Sequence, residues 1–309
     1  VSRALAFAAG VALDAALGDP PTRWHPVGLL GAAVSRLQAH APASRAARAD
    51  YGLAVAAGLP LAAAALTALA RRACARLPLG RVAFEACVLD AASALRTLLA
   101  RAREIEDALH AGDLDAARAL CGMHLVSRDT RDLSAAEVAG ATIESVAENL
   151  SDGVIAPWLA FALAGAPGAA AYRAVNTLDS RWGYRTEEFA ALGGASARLD
   201  DALNLVPARL TALALVAAAA NDRDADAIEA FACWRADAHR TASPNAGHPM
   251  AAMAGALRVR LVKRDAYELG ATYRDPAAAD IGRAVRLARR AATMLGAGMC
   301  GALVATGPR

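Results

Sequence analysis

Residues 51–70, YGLAVAAGLPLAAAALTALA, run for twenty positions without a charge between Asp50 and the pair Arg71–Arg72. As a helix rising about 1.5 Å per residue, such a run matches the hydrocarbon core of a bilayer. It leaves two ways to fold: it spans a membrane, or it is an alanine-rich core helix buried on every side. Other segments favour the membrane. Residues 153–172, GVIAPWLAFALAGAPGAAAY, are uncharged between Asp152 and Arg173, and Pro157 and Pro167 predict a broken or re-entrant helix there. Residues 202–220 reach span length only by including Arg209, and 291–307 follow Arg289–Arg290. Residues 4–17 are apolar except for Asp14, which suits a cleavable signal peptide poorly and predicts a retained segment.

Composition agrees. Hydrophobic residues make up 56% and charged residues 20%, with a mean hydropathy of +0.29, too apolar for an ordinary soluble enzyme. Abundant alanine favours helices. The expected fold is all-α: a polytopic integral membrane protein with about four to five apolar helices. A net charge of +3 gives no argument for nucleic acid. The cysteines (Cys74, Cys87, Cys121, Cys233, Cys300) contain no CxxC pair, so buried free thiols are expected rather than disulfides or zinc.

The polar regions 71–152 and 221–290 also read as helical, and the whole of 1–309 reads as one membrane-embedded domain at whose face these regions lie. Residues 81–120 carry mixed charge at helical spacing. Ser134-Ala-Ala-Glu137 reads as a capping box with Leu133 and Val138 as its staple, so a helix starts near Ser134. Residues 221–241 and 277–290 read as helices, SPNAGHP (243–249) as a loop, and no alternating strand or fixed repeat is visible. Arginines are dense in 71–131 and 223–290, which places both regions on the cytoplasmic side of the inner membrane. Strict alternation then puts 18–50 and 173–200 on the other side. Either 153–172 or 4–17 must be short or re-entrant if the polar motifs are to share one face.

The densest motif is ATIESVAENLSDGVIAPW (141–158). Glu144, Glu148 and Asp152 fall at i, i+4 and i+8 on one helix face, beside a face of Thr142, Ser145 and Asn149. Like charges at that spacing repel by a few tenths of a kcal/mol. A solvated face would tolerate this; a divalent-cation or proton-transfer site would use it, since Mg2+ takes one or two carboxylates plus phosphate oxygens. In AVNTLDSRWGYRTEE (174–188), Asn176 and Asp179 sit among Arg173, Arg181 and Arg185, arginines that either anchor a membrane edge or clamp phosphates. ARLDDALNLVPARL (197–210) sets Asp200, Asp201, Asn204 and Arg209 at the start of an apolar segment, either as a structural Asp–Arg pair or as a functional site. Asp19 and His25 lie in the Pro/Gly-rich loop 18–31, Arg128 in CGMHLVSRDT, and Asn245 in SPNAGHP. There is no GxxxxGK[ST]. GAGMCG (296–301) matches GxGxxG but reads as small-residue helix packing.

Together, GDP…HPV (18–27), SRDT (127–130), ATIESVAENLSDGVIAP (141–157), YRAVNTLDSRWGYR (172–185), ARLDDALNLVPARL (197–210) and SPNAGHPMAAMAGAL (243–257) resemble the adenosylcobinamide-phosphate synthase family of cobalamin biosynthesis (CbiB, also called CobD). The blocks span nearly the whole chain in family order. His248 departs from the pattern, which has an aromatic residue, usually Trp, at that place. The resemblance implies a multi-pass, all-helical membrane enzyme. It implies an ATP- and Mg2+-dependent amide ligation joining the propionate of adenosylcobyric acid to (R)-1-amino-2-propanol or its O-phosphate. Its partners would be the corrinoid, the amino alcohol, the bilayer and other cobalamin-assembly enzymes. On that reading Glu144, Glu148, Asp152 and Asp179 serve as metal ligands or base, with Glu148 and Asp152 the Mg2+ candidates. Arg128, Arg173, Arg181 and Arg185 meet phosphate; Asn149, Asn176 and Asn245 meet the corrin's amide rim. Asp19, His25, Asp200, Asp201, Asn204 and Arg209 complete the substrate-binding set. A transporter or channel using the intramembrane Asp200, Asp201 and Arg209 is the main alternative; a membrane sensor or scaffold leaves the polar blocks without chemistry.

Overall fold

The computed structural model describes residues 2–18, 25–183 and 187–306. In chain order the helices are α1 (Ser2–Leu17), α2 (Pro26–Ala39), α3 (Arg45–Cys74), α4 (Gly80–Ala92), α5 (Leu95–His110), α6 (Leu114–His124) and α7 (Ala135–Leu150). A π-helical segment, Ser151–Ile155, leads into α8 (Ala156–Ala164), α9 (Ala166–Trp182), α10 (Glu187–Ala190), α11 (Gly194–Ala220), α12 (Ala227–Asp237), α13 (Gly247–Leu257) and α14 (Ala278–Thr306). Helix dominates, as the alanine content predicts. Two compact units form: one from Val1–Ala94, Ala156–Asn204 and Gly296–Arg309, the other from Leu95–Ile155 and Leu205–Leu295.

In the first unit α3 packs on α9, α1 on α4, and α2 on α9. Val34, Val55, Leu178, Trp182 and Leu192 form one buried cluster. Phe7 meets Trp158 edge-on with ring centroids 5.7 Å apart. Of the described helices, α3 and α11 are long and apolar enough to cross a bilayer. They differ in what covers them. Only 11% of the apolar window of α3 is buried, against 50% for α11. Leu53, Leu61, Leu66 and Leu69 of α3 stand exposed, a continuous apolar surface that needs lipid or protein against it.

Three expected spans are not continuous apolar helices of that length. Helix α1 has 16 residues. The apolar end of α14 follows a turn-by-turn run of Arg283, Arg286, Arg289 and Arg290. Residues 153–172 divide at Gly165, whose φ of +70 suits glycine and strains other residues. Pro167 starts a helix rather than breaking one: it is the second residue of α9, where the N–H has no intrahelical partner. Pro157 lies inside a helix that runs unbroken from α7 through the π segment into α8, two residues past the wide turn. Arg3 Nη1 donates to the carbonyls of Ala162 and Leu163 at the end of α8.

In the second unit α5 buries Leu98, Leu99, Ala102 and Ile105 at helical spacing. Helix α13 is buried along its whole length. It lies so close to α12 that a Cβ on Gly255 would sit 2.2 Å from the Glu229 carbonyl oxygen. Gly255→Ala must therefore push two backbones apart and should cost about 1–3 kcal/mol, read as a lowered Tm.

The predicted capping box is present: Ser134 Oγ accepts from Glu137 N–H, and the Glu137 carboxylate accepts from Ser134 N–H at 2.8 Å. One element was not expected. Strands β1 (Leu261–Lys263) and β2 (Tyr267–Leu269) pair antiparallel, Lys263 opposite Tyr267. Their turn places Asp265 at φ 59, a conformation that Asp tolerates better than most residues. Three residues a side are too few for an alternating pattern to register. Arg264 in that turn holds Glu137 at 2.7 Å, so the cap of α7 also pins the hairpin. The pairing draws the Glu137 carboxyl down to about 2.

Candidate active site

Two polar clusters form, one in each unit. In the second unit the cluster grows out of α7. Nearly every residue from Val138 to Ala147 is buried, whichever face it lies on. Helices α5, α6 and α13 and strand β1 all pack against α7. The i, i+4, i+8 carboxylate row is therefore not a solvated face. Glu144 is 5% exposed. One of its oxygens lies 3.8 Å from Arg128 Nη2; the other, Oε1, is buried without a hydrogen-bond partner among the described residues. Burial pushes the Glu144 carboxyl up to about 7, against the pull of Arg128 and with the added push of the Glu148 charge. The Tyr267 hydroxyl lies close enough to favour the ionised form slightly, and it also donates to Met250 Sδ at 3.8 Å.

Glu148 and Asn149 are half-buried in the last turn of α7, and Asp152 is half-buried in the π segment. Such wide turns recur at functional sites. Asn149 Nδ2 donates to the Ser145 carbonyl at 2.9 Å. Among the described residues no three His, Cys, Asp or Glu side chains gather closely enough to hold a metal alone. Glu148 is near enough for its charge to act on Glu144, and Mg2+ takes one or two carboxylates when phosphate and water complete its shell.

The first unit holds a cavity of about 500 Å3, whose polar lining comes from His25, Ser93, Arg173, Asn176, Thr177, Ser180 and Arg181. Among the described residues no carboxylate lines it. The N-terminal turn of α2 contributes His25, which caps the helix by accepting from Val27 N–H through Nδ1 at 3.2 Å. Two arginines and a helix N-terminus make an anion-binding wall. Arg181 donates to Ser35 Oγ at 3.0 Å and crosses so near α2 that a Cβ on Gly31 would lie 2.8 Å from its Nη2.

Behind that wall runs a chain of hydrogen bonds. Arg173 donates to Asn176 Oδ1 at 3.0 Å and Asn176 Nδ2 to Asp200 Oδ1 at 3.4 Å. Asn204 Nδ2 donates to Asp200 Oδ2 at 2.8 Å, and Tyr172 OH to Asn204 Oδ1 at 2.9 Å. The motif blocks 172–185 and 197–210 thus meet through α9 and α11. Asp179 faces the charge of Asp201, and burial with that charge raises its carboxyl above the usual range. Arg209 and Asn245 bond each other, Arg209 Nη1 donating to Asn245 Oδ1 at 3.4 Å. Asp19 and Arg185 lie outside the described residues. The sequence reading missed Tyr267 and Tyr172. Tyr267 sits on the unforeseen hairpin, and Tyr172 closed an apolar run that hid its hydroxyl role.

The family model described as CobD/Cbib protein matches residues 7–291. Curated relatives cover most of the chain. One in Chromobacterium violaceum is 43% identical over 300 residues, 94% of this chain and 93% of that protein. One in Geobacter metallireducens is 40% identical over 263 residues, 83% of this chain and 80% of its own. One in Klebsiella pneumoniae is 38% identical over 298 residues, 92% of each. All three are named cobalamin biosynthesis protein CobD. No solved structure matches the chain. A family match across nearly its full length, with relatives of this identity and coverage, makes the chain a member of the CobD/CbiB family.

Proposed function

We propose that the chain acts in cobalamin biosynthesis as a membrane-bound adenosylcobinamide-phosphate synthase. It would join adenosylcobyric acid to (R)-1-amino-2-propanol or its O-phosphate at the expense of ATP. The observation that carries the reading is the buried Glu144, a carboxyl at about 7 beside Arg128. A carboxylate and an ammonium ion do not condense in water. The propionate must first take the γ-phosphoryl group of ATP, releasing ADP, so that phosphate can leave. The amine must also lose its proton before it attacks. A carboxyl poised near neutral pH suits that proton transfer, and Glu144 is the group assigned to it. Arg128 meets the phosphoryl oxygens. The reacting acyl phosphate must be kept from water, which fits a buried helix rather than a surface loop.

Glu148 and Asp152 would hold Mg2+, which when bound supplies charge neutralisation to the phosphates. Arg173 and Arg181, with the turn of α2, would hold the phosphate of the amino alcohol in the cavity of the first unit. Asp200 and Asn204 position Asn176 and Tyr172. Asn149 and Asn245 remain candidates for the amide rim of the corrin. Arg181→Ala should raise the KM for the phosphorylated amino alcohol about tenfold, the loss of one charge-assisted contact, while kcat stays near its parent value; steady-state kinetics with saturating corrinoid reads this.

The protein is proposed to sit in the cell's inner membrane as a multi-pass protein, with the polar second unit on the cytoplasmic side. The lipid-starved face of α3 supports a membrane setting. The names of the relatives do not favour a transporter. The test is one reaction. Detergent-purified protein is mixed with adenosylcobyric acid, ATP, Mg2+ and each amino alcohol form, and the corrinoids are weighed by mass spectrometry. An ATP-dependent gain of one condensed amine is expected. No gain with either donor, from folded protein, overturns the ligase.

A further inference from the structure

A hollow of about 310 Å3 in the second unit shares no lining residue with the groups given roles above and is lined by Phe231, Trp234, Arg235, Ala238, His239 and His248. Its walls are rings. Phe231 and Trp234 meet edge to face at 5.9 Å, and His239 and His248 at 5.7 Å. At its back His248 is 6% exposed. Trp234 Nε1 donates to His248 Nδ1 at 2.8 Å. An indole nitrogen can only donate, so Nδ1 accepts and the ring proton is on Nε2. Burial, with the charges of Arg209 and His239, pushes His248 down to about 4, so the ring stays neutral at physiological pH. Its Nε2–H is then a buried donor that makes no well-aligned hydrogen bond among the described residues, the Pro244 carbonyl lying near enough only to favour the protonated ring a little. Such a donor costs about 1–3 kcal/mol unless a ligand or water accepts from it. At the mouth, Arg235 is exposed in the last turn of α12 and makes no ion pair among the described residues.

These features select a ligand. Ring walls call for a flat ring, the inward donor for an acceptor nitrogen or oxygen on that ring, and Arg235 for an anionic substituent. The hollow is too small for a corrin. An ammonium ion would face Arg235 and find no carboxylate in the lining among the described residues. We propose that the hollow binds the adenine ring of a nucleotide, His248 Nε2–H donating to a ring nitrogen and Arg235 meeting the phosphates. The identity of the nucleotide as ATP rests on the ligase reading above. The adenosyl group of the corrinoid offers the same ring without phosphates, and Arg235 argues for the nucleotide.

The experiment is photolabelling of the detergent-solubilised full chain with 8-azido-ATP, without corrinoid, with adducts mapped by mass spectrometry. Label is expected within residues 231–248, displaced by ATP and by AMP but not by adenosylcobyric acid. Phe231→Ala removes one exposed wall and should weaken binding about tenfold, the usual scale for base–aromatic stacking; Arg235→Ala should weaken ATP more than adenosine. Both side chains are exposed, so both variants should fold even if Trp234→Ala does not. Label elsewhere, no displaceable label, or displacement by adenosylcobyric acid but not by ATP overturns the proposal. Labelling does not depend on turnover. Ligation with label elsewhere sinks this inference alone, whereas label here without ligation sinks the reaction and leaves the site.

Discussion

Glu144→Gln is expected to lower kcat by about 10²–10⁴, the range for removing a positioned general base, and to make the enzyme more stable at pH 8. The second half distinguishes a base from a structural acid. The carboxyl has its pKa raised by burial to about 7, above the unfolded value of about 4.3. Between those values the native state binds more protons than the unfolded chain, so stability falls as pH rises from about 4.3 through 7. A shift of this size corresponds to about 3.5 kcal/mol at pH 8. Glutamine carries no charge to bury and escapes that loss. Arg128, which keeps contact with solvent at 24% exposure, is not stranded by it. The parent's kcat should rise with pH through about 7 as Glu144 ionises. A variant that is both inactive and less stable than the parent at pH 8 would assign Glu144 to structure instead.

Glu148→Gln and Asp152→Asn are each expected to abolish detectable ligation, with helical content and detergent solubility unchanged. Both side chains are half-buried at the turn where α7 widens, so neither removes a core contact. Each keeps its shape and loses only its charge. Raising Mg2+ should restore part of the activity of either single variant, because one carboxylate and phosphate oxygens still complete a magnesium shell. The double variant should not recover. Full activity in both single variants would end the assignment of this pair to the metal.

Much of this was legible from residue order. The Ser134–Glu137 box marked the start of α7 correctly, because capping is local and its four residues carry the whole signal. The break in 153–172 was legible too, but its cause was not: two prolines predicted it, and Gly165 makes it. Helical spacing said which residues of α7 share a face. It could not say how many faces would be covered, since that depends on what packs there, and so the Glu144 row could be read as solvated. The loop at 243–249 was right only to Ala246; Gly247, His248 and Pro249 already belong to α13, whose first turn tolerates the proline. Of the five cysteines, only Cys121 and Cys233 are buried and Cys87 is exposed, though all are free as expected. In GAGMCG, Gly296 does pack on the Trp158 ring, while Gly298 and Gly301 face open space.

The ion pair between Glu137 and Arg264 imposes a rule of parity on the chain. Those residues flank everything from Ile155 to Asn221, and their contact puts both flanks on one face of any bilayer. The chain between them must cross an even number of times. The uncharged stretch 153–164, twelve residues at the end of a helix that runs on from α7 and so about 18 Å long, is too short to cross, and α9 turns back from it at Gly165. If that pair only dips into the lipid, α11 cannot cross alone, however apolar it is. Its half-buried surface is what a helix that stays on one side would show. Strict alternation would then give way. Cysteine labelling at exposed Ser180 and exposed Met123, from one side of sealed vesicles, reads that parity directly.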